Sequence, residues 1–169
     1  MFRPDVFYLA LGKIGMITNI KVRTATPDDL PVILKFEQGI IDAERPFDPT
    51  LLKGKFHYYD LGARIADPDA SVAVAEDNGR VIAGGSAVIK QGNPYNTFKD
   101  YAFLGFMFVE PEYRGLGVNR LIIDALVDWS RKRGLEEIRL QVYSENLPAI
   151  HAYEKVGFKA ILTEMRLIV

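Results

Sequence analysis

The chain has 169 residues, 49% of them hydrophobic, and its 21 basic and 22 acidic side chains leave a net charge of −1. That length suits one domain with a sizeable core, and the well-mixed charge argues against nucleic acid or an anionic membrane as the main partner. There is no cysteine, hence no disulfide, thiolate metal site or cysteine nucleophile; His57 and His151 lie too far apart in sequence to suggest a metal centre, so no metal is expected.

The apolar run from Val6 to Ile20 is broken by Gly12, Lys13 and Gly15. It is too short for a membrane span and lacks a signal-peptide cleavage site, so a cytoplasmic protein is expected. Residues 1–15 read as an N-terminal extension, and residues 16–169, opening at Met16, as the domain. Alternation over 19–24 predicts a first strand. Thr26 and Pro27 then form a helix start, and Leu30, Ile33, Leu34, Glu37, Ile40 and Ile41 continue at helical spacing to near Ala43.

Pro46 and Pro49 interrupt the chain, after which residues 50–66 resume a helical pattern carrying Phe56, His57, Tyr58 and Tyr59. Such an aromatic cluster packs a core more often than it meets a ligand. Ser71–Glu76 and Arg80–Lys90 read as strands joined by Asp77-Asn78-Gly79, a tight-hairpin signal because Asn-Gly tolerates positive φ. A polar loop over 91–100 precedes a strand from Tyr101 to Val109.

The segment Tyr113-Arg-Gly-Leu-Gly-Val-Asn119 follows that strand and opens an amphipathic helix with Leu121, Ile122, Ala125, Leu126 and Trp129 on one face. The first amides of a helix lack intrahelical partners and carry partial positive charge, so an anion can sit there. Gly115 and Gly117 let the backbone approach it, and Arg114 adds a full charge at the rim. Two glycines between a strand and a helix also make an ordinary turn. Position 120 is Arg, so Gly-x-Gly-x-x-Gly is not completed, and there is no Gly-Lys-Ser/Thr; neither nicotinamide binding nor ATP hydrolysis is supported.

Gly134 ends the helix. Ile138, Leu140 and Val142 alternate as a strand, a short helix runs from about Leu147 to Val156, and Phe158–Val169 is apolar enough for one or two last strands. The order is strand, helix, helix, three strands, helix, strand, helix, strand: an α/β chain with one mixed sheet covered on both faces.

Three matched segments resemble the GNAT superfamily of acyl-CoA-dependent N-acetyltransferases. Val109 to Gly117 is similar to that family's strand and pyrophosphate loop, Asn146 to Phe158 to its late helix and closing Gly-Phe, and the element order over 19–169 to its fold. Asn119 departs from the pattern, where the family usually has Gly or Ala. The resemblance implies a mostly antiparallel central sheet, with strands 4 and 5 splayed to hold the acetyl-CoA arm. It places the pyrophosphate on the amides of Arg114, Gly115, Leu116, Gly117, Val118 and Asn119, and the pantetheine arm along Met107, Phe108 and Val109, with Asn146 close to it. An unprotonated primary amine, on a small molecule or peptide, would attack the thioester directly in a ternary complex. Tyr153 would protonate the leaving thiolate.

Each of these assignments has a structural rival. Tyr153 shares a helix face with Ala149 and Ile150 and suits a core, while Asn146 suits an N-cap. Glu110, Glu37 and Glu44 are conceivable general bases acting through water, but solvated surface carboxylates fit them better, and no base is assigned. Acceptor contacts are expected from 42–59 and 91–100. A non-catalytic acyl-CoA-binding module is the alternative to an enzyme, and a homodimer is possible through the C-terminal strand.

Overall fold

The computed structural model describes residues 20–169, so the extension over 1–15 and the opening at Met16 lie outside the described residues. One five-stranded sheet in the order β1-β2-β3-β4-β5 organises the molecule. Its strands are β1 (Ile20–Thr24), β2 (Ala70–Asp77), β3 (Arg80–Gln91), β4 (Asp100–Val109) and β5 (Ile138–Arg139). The first four are antiparallel in sequence, and β5 joins β4 in parallel.

Helices cover both faces. Helices α1 (Leu30–Glu44) and α2 (Leu61–Ala66) bring Ile33, Phe36 and Leu61 against Val72, Val74 and Phe106. On the opposite face, α3 (Val118–Lys132) packs Val118, Ile122 and Leu126 against Ala73, Ala75, Ala83 and Leu104. The run Val72-Ala-Val-Ala75 is apolar throughout because both of its faces are buried. Its small residues all point at α3, which lets that helix approach closely.

The hairpin forms at Asn78 (φ 49°) and Gly79 (φ 82°), the pair of positive φ values that a two-residue type I′ turn requires. At the start of α1, the buried Asp29 accepts from the Thr26 amide at 2.7 Å and takes both arms of the Arg23 guanidinium at 2.7 and 2.9 Å, fastening helix to strand. Arg23 chiefly, and the Thr26 amide after it, hold the Asp29 carboxyl down at about 2, against burial. A lowered carboxylate pKa contributes stability that is complete above the unfolded value of about 3.9 and disappears as pH falls through the folded one. Asp29→Asn is therefore expected to lower stability near neutral pH by about 1–2 kcal/mol. Thermal melts should show the gap from the native chain closing from about pH 4 down to about pH 2; a gap independent of pH would mean another contact carries the effect.

Three expectations from the sequence are corrected. Residues 50–60 are irregular, and only Leu61–Ala66 of the 50–66 pattern is helical. Side chains of α1, and Arg45 just past its end, take the polar groups that a helix there would pair internally. Gln38 donates to the Phe56 carbonyl at 2.7 Å, Arg45 to the Leu52 carbonyl at 2.8 Å, and Glu37 accepts from the Tyr58 and Tyr59 amides. Next, the strand expected over 138–142 ladders only at Ile138 and Arg139, opposite Ala102 and Phe103. Finally, Phe158–Val169 forms no strand, because the chain has left β4 and presents no paired edge beside it. Arg166 instead clamps Asp48 at 2.9 and 3.0 Å and Thr50 at 2.8 Å, and residues 131–169 are at most half-buried, Tyr153 among them. No helix among the described residues is long and apolar enough to cross a membrane.

Candidate active site

The site is built around an irregularity in β4. Ser86 pairs with Gly105 and Gly84 with Phe108, so Phe106 and Met107 together oppose the single residue Gly85. This is a β-bulge, and Phe106 takes φ 51° within it, an outlier for a bulky side chain of the kind that surrounding structure must impose. Gly85 admits it because any Cβ there would lie 2.6 Å from both Met107 and Ile122. The bulge reverses the pleat. Leu104 belongs to the α3 core, whereas Phe106 and Phe108 pack with α1, and Met107 and Val109 return to the α3 side. Phe108 stacks on Phe36 with ring centroids 4.7 Å apart.

Beyond Phe103, β4 has no ladder partner on its β5 side among the described residues, so a cleft opens between its bulged half and the chain after β5. The two strands are splayed as expected. At the end of this cleft lies the glycine loop. Glu110 donates its amide to Ile82 at 2.9 Å, Pro111–Tyr113 make a short 3-10 turn, and the Tyr113 hydroxyl donates to Asp77 at 2.9 Å, anchoring the loop to the hairpin. Gly115 (φ 78°) and Gly117 (φ 82°) are left-handed, with nothing within 4 Å of where a Cβ would stand. Conformation, rather than crowding, is what calls for glycine here.

The amides of Gly115, Leu116, Gly117, Val118 and Asn119 donate to no acceptor among the described residues. Arg114's own amide bonds to the Pro111 carbonyl at 3.3 Å, so the run of unpaired amides begins at Gly115. Its guanidinium folds back, donating to the Val109 carbonyl at 3.0 Å beside the Phe108 ring. Val118 buries its side chain under the cradle, while Asn119 stays half-buried at its edge.

Helix α4 (Leu147–Glu154) follows β5 in the chain. The Asn146 side chain accepts from the Ala149 amide at 3.3 Å, which is the capping geometry. Tyr153 meets Phe158 edge to face at 5.9 Å. Burial first, then the nearby Glu44 and Tyr59, push its phenol up to about 12, so it holds its proton at neutral pH.

The sequence pointed to 42–59 for acceptor contacts but read Glu37 as a solvated surface carboxylate and did not single out Arg64; the structure corrects the first and adds the second. Glu37 is fully buried, accepting through Oε1 from the Tyr58 amide at 2.8 Å and the Tyr59 amide at 2.9 Å, with His57 Nδ1 2.5 Å from Oε2. The signal was present: an acid on the apolar stripe of α1, where only an acceptor with fixed donors is tolerated. Tyr59 then lies against the bulge, its hydroxyl 3.1 Å from where a Gly105 Cβ would stand. Burial raises its phenol, while the Phe106 amide and Arg64 favour the ionised form. Arg64 lies 4.2 Å over the Tyr59 ring and donates to Ser86 Oγ at 2.7 Å, which in turn donates to the Gly105 carbonyl at 3.1 Å.

Residues 38–158 match the model of the acetyltransferase (GNAT) family. The chain is 33% identical over 125 residues to the streptothricin acetyltransferase of Streptomyces lavendulae, covering 71% of this chain and 63% of that protein, so it spans less than two thirds of that relative. It is 26% identical over 144 residues to the aminoglycoside N(6')-acetyltransferase type 1 of Stenotrophomonas maltophilia, covering 82% and 85% of the two chains. In fold it is similar to a predicted acetyltransferase from Clostridium acetobutylicum solved with acetyl-CoA, with a TM-score of 0.68, 21% identity and coverage of 89% and 96%.

Proposed function

This chain belongs to the acetyltransferase (GNAT) family, and on that premise we propose that it moves an acetyl group from acetyl-CoA to a primary amine by direct attack in a ternary complex. The observation that carries the reading is the run of unpaired amides from Gly115 to Asn119, set where the open edge of β4 ends. A pyrophosphate suits that run, and an extended amide-bearing arm suits the edge from Met107 to Val109. An amide on the bulged strand would stabilise the oxyanion of the tetrahedral intermediate. As the C–S bond breaks, Tyr153 donates its proton to the thiolate, a role its raised pKa supports. Asn146 is proposed to hold the start of α4 and to contact the arm with its remaining donors.

The two curated relatives named for streptothricin and aminoglycoside acetylation make small-molecule amines the first acceptors to try. The test is thiol release from acetyl-CoA across a panel of amines. Turnover is expected for the native chain, and Tyr153→Phe should lower kcat about 10²-fold with acetyl-CoA affinity unchanged. Equal rates would remove the hydroxyl from the mechanism. Acetyl-CoA binding with no turnover on any amine would favour the non-catalytic module.

A further inference from the structure

Arg64 is a half-buried cation, and among the described residues no carboxylate forms a salt bridge with it. A guanidinium drawn out of water usually meets an anion. Here the partners are neutral: Nη1 donates to Ser86 Oγ at 2.7 Å, and the guanidinium lies 4.2 Å over the Tyr59 ring. Helix α2 delivers it. Leu61 is buried in the core, Asp60 caps the helix by accepting from the Ala63 amide at 2.8 Å, and Arg64 reaches the sheet from the last turn.

Ser86 is wholly buried and has one proton to give. Since its oxygen accepts from Arg64, that proton goes to the Gly105 carbonyl, 3.1 Å away. A chain of donors thus runs from a full positive charge to one peptide unit, the one joining Gly105 to Phe106, where the bulge begins. In a planar trans peptide the N–H points opposite to the C=O. The Gly105 carbonyl is turned to Ser86 on β3, so the Phe106 N–H is turned away from β3, to the side of β4 with no ladder partner beyond Phe103. A hydrogen bond received by the carbonyl strengthens the N–H of the same amide, and a cation behind the donor adds to the effect.

We propose that Arg64 is a positioning residue for acetyl transfer, which acts through Ser86 to fix and polarise the Gly105–Phe106 peptide so that the Phe106 N–H meets the thioester oxygen; this rests on the acetyl-transfer reading above. Arg64 itself touches neither substrate nor reacting atoms. As the amine adds to the thioester carbon, the carbonyl electron pair moves onto that oxygen, and the polarised N–H holds the growing charge more strongly than it held the neutral carbonyl. The same bonds pin the backbone. Phe106 keeps φ 51° only under restraint from its surroundings, and the Ser86 bond falls on the residue just before it. Arg64 also covers the ring of Tyr59, whose hydroxyl stands beside this peptide, 3.1 Å from where a Gly105 Cβ would be.

The experiment compares the native chain with Arg64→Met, Arg64→Lys, Ser86→Ala and the double variant Arg64→Met/Ser86→Ala. For each it measures kcat, acetyl-CoA affinity, the melting temperature, and the carbonyl stretch of bound acetyl-CoA labelled at the thioester carbon, by infrared difference spectroscopy. Losing an oxyanion donor outright costs about 10²–10³ in kcat, and weakening one that stays costs less. Arg64→Met and Ser86→Ala should each lower kcat about 10-fold and leave acetyl-CoA affinity within about 2-fold. The double variant should lose no more than the worse single one, because both cut the same chain. In all three the labelled carbonyl should absorb at higher frequency than in the native complex, as a less polarised C=O does, and Arg64→Lys, which keeps the charge, should recover part of kcat.

A bond that merely fastened α2 to the sheet would lower the melting temperature and leave kcat and the carbonyl frequency native. That result, or full additivity in the double variant, overturns the role of Arg64 while acetyl transfer stands. Should Arg64→Met fail to fold, Ser86→Ala decides by the same readouts. If the native chain binds acetyl-CoA and acetylates no amine, acetyl transfer falls, and a carbonyl frequency unchanged by Arg64→Met and Ser86→Ala would overturn the polarised peptide as well.

Discussion

Glu37→Leu should lower the unfolding free energy by about 3–5 kcal/mol, which for a domain of this size corresponds to a melting temperature about 10 °C lower. The substitution removes a fully buried carboxylate and leaves the Tyr58 and Tyr59 amides without acceptors inside the protein. Each unsatisfied buried donor costs about 1–3 kcal/mol, and no neighbouring side chain is placed to take over. The loss should also reach the chemistry, since the Tyr59 backbone is tied to α1 through Glu37 and its ring stands against Gly105.

Glu37→Gln sharpens the test. Both amides donate to Oε1, which glutamine retains, and only the His57 contact on Oε2 is lost. It is expected to cost about 1 kcal/mol or less. Circular dichroism melts of the three proteins check this; a leucine variant melting within about 3 °C of native would mean that the loop is held by other contacts.

The second large effect is on acetyl-CoA affinity. Gly117→Val should weaken it at least about 100-fold, roughly 2.7 kcal/mol, with a much smaller change in folding stability. Gly117 sits at φ 82° as the N-cap of α3, a conformation that a β-branched residue strongly disfavours, so the loop would turn its amides away from their common focus. Gly117→Asn separates conformation from contact, because asparagine tolerates left-handed backbone. Nothing lies within 4 Å of the added Cβ, so this variant should fold like the native chain. It should nevertheless bind more weakly, since its side chain projects into the space proposed for the phosphates. Isothermal titration with acetyl-CoA decides; native affinity in Gly117→Val would put the phosphates elsewhere.

Much of this was legible before any coordinates. The Asn78-Gly79 turn, the helix from Val118 and the glycine loop follow from local chemistry, because only a few residue types permit positive φ and only a few patterns make an amphipathic helix. What escaped the sequence was set by tertiary contacts. Residues 50–60 carry a helical pattern, yet their backbone groups are captured by Glu37, Gln38 and Arg45 from another element. The bulge was invisible because its left-handed residue is Phe106 rather than a glycine, and only its packing with α1 keeps it so. The closing segment had the composition of a strand and no edge to join. For the site, the loop and α4 were read correctly as elements, while the inward wall from Glu37 to Arg64 depended on a single acid whose surroundings no spacing reveals.

The bulge also changes how β4 must be read by anyone altering it. In an unbroken strand, odd and even positions report reliably on the two faces. Here parity holds only up to Gly105 and is inverted afterwards, so Leu104 and Phe106 belong to different cores while Leu104 and Met107 share one. Phe106 is the extra residue: without it Met107 would stand opposite Gly85 and Phe108 opposite Gly84, so the strand's tip would keep its two faces and its register while losing the ring that Phe106 packs against Gly84 and α1.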